Sequence, residues 1–527
     1  MDTKALRQKV LDLAIRGKLV PQDPNDEPAS VLLERIRQQK QQMVKDGKLK
    51  AKDIKNDSII FVGEDNLHYE KFADGSVKCI EDEIPFELPD GWAWVRLQSI
   101  STMSNGTAKR SGSDGTQTAV LRLADLGDNE ISFSDTRNVI LTDAEIKKYA
   151  LSAGDVIFVR VNGSKENVGK SYYFEGKPFP VAYCDHLIRC TPTIVLCGKL
   201  LSMFMRCGYV RQLIGERMVS AAGQNTISQP SLGTILLPLP PFTEQNRIIK
   251  KLEDADNFVA QISDSKQQLF ETIDHTKSKI LDLAIHGQLV PQDPADEPSS
   301  VLLERIRAEK EELIRQGKIK RDKKESVIFR GEDNSYYLRA GELVESLEDW
   351  AFENLPDSWS VCCLGELCDY GNCTNVDAVD IADSAWILDL EDIERDSGVV
   401  LQKVRKAERN ATSTKHHFHK GQVLYSKLRP YLNKVVLADE DGYCTTEILP
   451  LEFERNIFPQ YARYYLMSPA FLRYANKCSY GVKMPRLGTT DGKKAIISIP
   501  PIEEQKRIVL AIELAFTQLT SIAENLT

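Results

Sequence analysis

The run Leu239-Pro240-Pro241-Phe242 is the nearest approach in this chain to the motif of an amino-methyltransferase. Such an enzyme needs Asn, Asp or Ser before Pro-Pro-aromatic, because that side chain accepts from the target amine, and leucine has no acceptor. The second copy, Ile499-Pro500-Pro501-Ile502, lacks both the acceptor and the aromatic ring. Both read instead as helix punctuation, since proline is favoured at a helix start. Gly163 to Ser171 looks like a phosphate-binding loop, but five residues separate Gly163 from Gly169. The phosphate cradle needs four, with a helix after its Lys-Ser, whereas Tyr172-Tyr173-Phe174 reads as strand. Cys184, His186, Cys190 and Cys197, the trio Cys363, Cys368 and Cys373, and His416, His417 and His419 lack the paired short spacings of a structural zinc site. A nuclease reading built from Asp155, Glu175 and Lys177 has no equivalent in the second half of the chain, and Asp155 lacks the proline of a Pro-Asp lead before it. No metal or cofactor is therefore expected on the chain itself.

What remains is a set of cationic and amide side chains on loops. Lys109 and Arg110 lie in the Gly/Ser-rich stretch 104–115, Arg160, Asn162, Lys165 and Lys170 follow an apolar run, and Gln224 and Asn225 lie in 221–229. Lys427 and Arg429 follow a second apolar run, and Lys483 and Arg486 occupy 481–488. Arg and Lys suit guanine edges and phosphates, while Gln and Asn suit adenine. Each of these side chains is read either as a nucleic-acid contact or as a solvated surface group.

The elements that must position them come from a duplication. Leu11 to Lys40 matches Leu281 to Lys310 except at positions 16, 18, 25, 29, 38 and 39 of the first copy. Pro500 to Ile508 answers Pro240 to Ile248, so the two ends of the chain together spell its middle. No proline or glycine interrupts the sequence from Thr243 to His286, which predicts one long helix, followed by a turn at 290–294 and a second helix over 297–316. Leu252, Val259, Lys266, Ile273 and Ile280 fall at one heptad position, and Ile248, Ala255, Ile262, Leu269, Thr276 and Leu283 at the other, a coiled-coil seam broken at Lys266 and Thr276. Such an internal repeat predicts a pseudo-twofold molecule whose terminal helices meet.

Between the helix blocks lie two strand-rich stretches that repeat each other at anchor points and diverge in between. Ser58 to Asn66 matches Ser326 to Asn334, Leu88 to Trp92 matches Leu355 to Trp359, and Leu121 to Leu126 parallels Leu388 to Ile393. Arg160 and Asn162 line up with Lys427 and Arg429, at the ends of the strands predicted after Gly154 and Gly421, and Cys184 aligns with Cys444. The expected fold class is α+β: two mixed α/β domains, 58–239 and 326–499, separated by long antiparallel coiled-coil helices from blocks 1–57, 240–325 and 500–527. A shared scaffold with divergent loops suits two modules that recognise different things.

The 527 residues, 42% hydrophobic and 28% charged, are enough for several cores. Eleven cysteines without a small-domain pattern read as reduced thiols. No secretory leader or membrane-length apolar run is evident, so a cytoplasmic protein is expected. The formal charge of -9 does not exclude DNA, because binding depends on a patch rather than a total. Residues 92–238 hold 16 Lys+Arg against 12 Asp+Glu, and residues 359–498 hold 18 of each.

The duplicated LDLAI-x-G-x-LVPQDP-x-DEP block, the Pro-Pro-x-x-Glu-Gln-x-x-Ile helix starts and the alternation of helix block and variable domain resemble the DNA specificity subunit of type I restriction-modification systems. The resemblance covers essentially the whole chain. It implies that each variable domain is a target recognition domain reading one half of an asymmetric bipartite site in double-stranded DNA. It further implies that the helices hold these domains apart and dock two methylation subunits, which carry S-adenosylmethionine and methylate adenine at N6. Motor-nuclease restriction subunits can join such complexes. The chain is then a non-catalytic part of an enzyme. Two rival readings are an enzyme acting alone, methyltransferase or nuclease, and a pseudosymmetric scaffold without nucleic acid.

Overall fold

The computed structural model describes residues 2–47, 49–50, 54–128, 130–193, 197–221, 223–317, 326–331, 333, 335–340, 342–347, 355–409, 411–453 and 457–526. The expected domain end at 325 lies outside the described residues, as does Asn334 of the repeated strand segment. The chain divides into two compact units, Met1–Ser265 and Lys266–Thr527. The fold mixes helix and sheet, and the long uninterrupted run forms one 44-residue helix, α3, over Phe242–Ile285. The other helices used below are α1 (Thr3–Ile15), α2 (Ala29–Lys45), α4 (Ser299–Arg315) and α5 (Ile502–Leu526).

In unit 1, α1 closes with Gly17 at φ 65°, a left-handed conformation that glycine adopts without a Cβ penalty. A Cβ there would also sit 2.4 Å from the Pro89 ring. The apolar faces of α1 and α2 and the first turns of α3 (Ala14, Ile15, Ile36, Ile248, Leu252) pack with Trp92, Leu97, Phe158 and Ile188 into one core. A second core around Leu121, Tyr172 and Tyr183 lies in the same unit. Strands Ser171–Tyr173, Val156–Val159, Leu187–Pro192 and Ser101–Asn105 form an antiparallel sheet in that order. A second sheet sets Val181–Tyr183 parallel to Thr116–Leu121, with Arg137–Leu141 antiparallel on the other edge.

In unit 2 the strand Val423–Ser426 lies between Val435–Leu437 and Ile448–Leu451, and Trp386–Leu388 pairs parallel with Gly442–Thr445 inside a five-stranded sheet. Ile285 and Leu302 pack with Ile508, Ile512, Trp359, Tyr461 and Tyr465. Lys277 lies over the Phe516 ring at 5.8 Å. The strand register corrects one alignment. Leu121 pairs with Tyr183 while Leu388 pairs with Cys444, so Cys444 answers Tyr183 rather than Cys184.

The heptad seam on α3 is covered unevenly. Ile248, Leu252, Val259 and Ile273 of the seam are buried, Ile280 and Leu283 are only half-buried and Leu269 is exposed, and toward the end of the helix the buried face shifts off the seam to Leu281, Ala284 and Ile285. The helix after the turn begins at Ser299, two residues later than the expected start at 297, because Pro298 precedes its first turn and the Ser299 amide donates to the Ser358 carbonyl.

Candidate nucleic-acid interface

Each unit fastens its strand-rich part to its helices by the same joint. In unit 1, Glu244 of α3 is fully buried and accepts from Trp92 Nε1 at 2.9 Å and Gln22 Nε2 at 2.9 Å. In unit 2, Glu504 of α5 is fully buried and accepts from Trp359 Nε1 at 3.0 Å and Gln292 Nε2 at 2.6 Å. Burial raises the pKa of both carboxyls, opposed by the two hydrogen bonds each receives. The next residues repeat the pattern: Gln245 accepts from the Cys197 amide and Gln505 from the Phe458 amide, while Arg247 pairs with Asp26 and Arg507 with Asp296. This is what the Glu-Gln of the repeated Pro-Pro-x-x-Glu-Gln motif does.

The two units share one further feature, at the end of a central strand. In unit 1 the Arg160 amide donates to the His186 carbonyl at 2.8 Å, and the Arg160 carbonyl accepts from the Ile227 amide at 3.0 Å. In unit 2 the Lys427 amide donates to the Glu447 carbonyl at 3.0 Å, and the Lys427 carbonyl accepts from the Leu487 amide at 3.0 Å. Ile227 and Leu487 are both buried, so each clamps its loop to the strand end from below.

Most of the cationic and amide residues singled out in the sequence gather at these two strand ends. In unit 1, Val161–Asn162 pairs antiparallel with Gln224–Thr226, which forms a hairpin with Val219–Ala221. Arg160 donates through Nη1 to the Asp185 carbonyl at 3.0 Å, and Arg110 holds the Asp185 carboxylate at 2.7 Å, a bond that raises the guanidinium's pKa. Loops 107–110, 160–163, 185–186 and 224–227 are thereby one surface. Lys109 is tied to Glu145 at 2.8 Å. Gln224 and Lys165 are exposed, whereas Asn225 is buried, its amide donating to the Gly163 carbonyl at 2.8 Å and its oxygen accepting from Ser220. Asn225 thus holds the hairpin, and Gln224 beside it presents a free face. Lys170 stands apart from this group, 3.9 Å from Asp128.

In unit 2, Arg429 adopts a left-handed conformation at φ 50°, which a non-glycine residue takes only when held there. Its amide donates to the Pro485 carbonyl at 2.7 Å, and its Nε is buried without a partner. Arg486 grips Glu447 through Nε and Nη2, with Nη2 at 2.8 Å, in a two-pronged pair that raises its pKa. Lys483 is exposed at the loop tip. The grip of Arg486 on a residue 39 positions away leaves no trace in composition or spacing.

Arg110, Arg122, Arg137 and His186 also line a cavity of about 240 Å³ beside Lys109. Arg122 is held there by Asp125 at 3.1 Å. Cys184, Asp185 and His186 bring one potential ligand atom each within 4.8 Å of one another, the sole such cluster among the described residues. Asp185 is already engaged by Arg110, and three consecutive residues with no fourth group make a poor metal site.

Residues 356–525 match the family model of the type I restriction modification DNA specificity domain. The chain is 31% identical over 427 residues, 70% of its length, to the specificity subunit of the type I restriction enzyme EcoAI of Escherichia coli. It is 31% identical over 422 residues, 69% of its length, to the EcoEI specificity subunit of the same species. These alignments span 63% and 61% of the two relatives. A solved chain from work on assembly and conformational transition of the type I restriction-modification system superposes with a TM-score of 0.52 at 15% identity, over 84% of this chain and 94% of that one, a likeness of fold. Residues 356–525 are thus similar to the type I restriction modification DNA specificity domain, and the chain is similar over 70% of its length to type I restriction enzyme specificity subunits.

Proposed function

We propose that this chain is the non-catalytic DNA-reading subunit of a type I restriction-modification complex in the cytoplasm. Domains 58–239 and 326–499 each read one half of an asymmetric bipartite site. The helix blocks 1–57, 240–325 and 500–527 set the spacing between the halves and dock two methylation subunits, one per copy of the repeated block. Those subunits supply S-adenosylmethionine and methylate adenine, a reaction that requires the base to leave the stack. Restriction subunits join where the complex also cleaves.

The observation that carries this reading is the repeated strand end. The same two backbone hydrogen bonds at Arg160 and at Lys427 display different donors around them, Gln224 in one unit and Lys483 in the other. A scaffold without a ligand has no use for one frame with two sets of exposed groups. The test is methylation of genomic DNA by the purified chain with S-adenosylmethionine, alone and with its methylation subunits. The chain alone transfers nothing, and the complex, with two methylation subunits per chain, modifies adenines within one bipartite sequence. Transfer by the isolated chain, or modification without a two-part pattern, contradicts the proposal.

A further inference from the structure

The loop above Lys427 is a short hairpin whose apolar side chains face outward. Tyr480 and Arg486 exchange backbone hydrogen bonds at 3.1 and 2.9 Å, and Gly481 turns the chain at φ 99°. Val482 is 101% exposed, Tyr480 62% and Met484 48%. Such an apolar tip is not a loose end, because its base is fixed three ways: Arg486 on Glu447, the Arg429 amide on the Pro485 carbonyl, and the Leu487 amide on the Lys427 carbonyl. A rigid projection that keeps aliphatic groups in water has little conformational freedom left to lose on burying them against a partner. Lys483 sits between Val482 and Met484 with no side-chain partner among the described residues, so the projection is also cationic.

The hairpin in unit 1 hangs on the equivalent strand end and is of a different character. Val219–Ala221 and Gln224–Thr226 pair antiparallel, and the exposed Gln224 follows Gly223 at the turn. Glutamine pairs through two hydrogen bonds with the N6 and N7 edge of adenine, which only the major groove displays, and that groove admits a two-stranded ribbon. Equivalent frames direct both hairpins at the same groove of their half-sites. The one apolar group in the major groove is the thymine 5-methyl. We infer that the 480–486 hairpin is a specificity determinant that reads thymine, with Val482 and Met484 seated against its 5-methyl group and Lys483 on a neighbouring phosphate. This rests on the DNA-reading function proposed above and names the chemistry by which the second domain reads.

The test uses the full chain assembled with its methylation subunits. The modified sequence is mapped first, and the half read by residues 359–498 is identified as the half that changes when that segment is exchanged for a relative's. Duplexes are then made with each thymine of that half replaced singly by deoxyuridine, which removes only the methyl. At one or more positions the wild type should bind about fourfold more weakly, the worth of one buried methyl. Val482→Ser or Met484→Ser should show the same weakening on the thymine duplex and no further loss with deoxyuridine. The inference is overturned if no deoxyuridine position matters, or if the loss persists undiminished in both variants. Loss of all dependence on the half-site sequence would instead overturn the proposed function. Val482 touches nothing in the fold, so its variant folds as the wild type does.

Discussion

Replacing Trp92 by Phe removes a single donor from the buried carboxylate that joins the first strand-rich domain to α3. Trp92 Nε1 donates to Glu244 at 2.9 Å, and Gln22 is the other donor. A hydrogen bond to an ionised group contributes about 1.5–3 kcal/mol, and one to a neutral group about 1 kcal/mol. Burial already raises the Glu244 pKa above its ordinary 4.5, and the Trp92 bond is the largest influence holding it down. Between pH 4.5 and its folded pKa, Glu244 binds more protons folded than unfolded, so stability falls as pH rises through that window. Trp92→Phe widens the window upward. The hydrogen-bond part of the loss is therefore about 1.5–3 kcal/mol where Glu244 is ionised and about 1 kcal/mol near pH 4.5, where it is largely protonated. The smaller ring also leaves a cavity, but that cost does not depend on pH. Urea unfolding at one pH in each range, with Glu244→Gln/Trp92→Phe as the control that removes the titrating group, measures the difference. Equal losses at both pH values, or no loss, refute the reasoning. Trp359→Phe should repeat the behaviour through Glu504, and the two substitutions should add, since they lie in separate units.

Lys40 is 1% exposed and donates to Asp57 at 2.8 Å and to the Gln98 carbonyl at 2.8 Å, so Lys40→Met should cost about 3 kcal/mol in chemical denaturation by stranding Asp57. Lys40→Met/Asp57→Leu should recover most of that loss, and a double variant no better than the single one would mean the pair is not the cause. Duplicating Ser263 to Lys266 within the unbroken α3 adds about 6 Å of rise and roughly 40° of rotation, against about 3.4 Å and 34–36° for one base pair. The unread spacer should lengthen by one base pair with both half-sites unchanged, as read by genome-wide mapping of modified adenines; an unchanged spacer refutes the helix as a ruler.

The long helix was legible because helix breakers are absent from Thr243 to His286, and the structure runs it from Phe242 to Ile285. The repeat was legible as near-identity, and the strand ends at Arg160 and Lys427 were found by aligning its halves. The Trp92 to Glu244 bond was not, since its partners stand 152 residues apart and nothing local marks either. Cys444 was aligned one residue off because register is set by the partner strand, here Trp386–Leu388, and not by matching cysteines. Asn225 and Gln224 carry the same amide chemistry, and only the hairpin's pairing shows that one faces inward and the other outward. Val482 and Met484 carry no donor, and an apolar side chain in a polar loop reads as core until its exposure is known.

The two domains are proposed to read two half-sites independently. The most direct measurement of this exchanges residues 92–238 for the corresponding segment of a relative with a different target, assembles the hybrid with the methylation subunits and maps every modified adenine in a genome. One half of the recognition sequence should change to the donor's, while the other half and the spacer stay as they were. A hybrid in which both halves change, or in which neither does, contradicts the account.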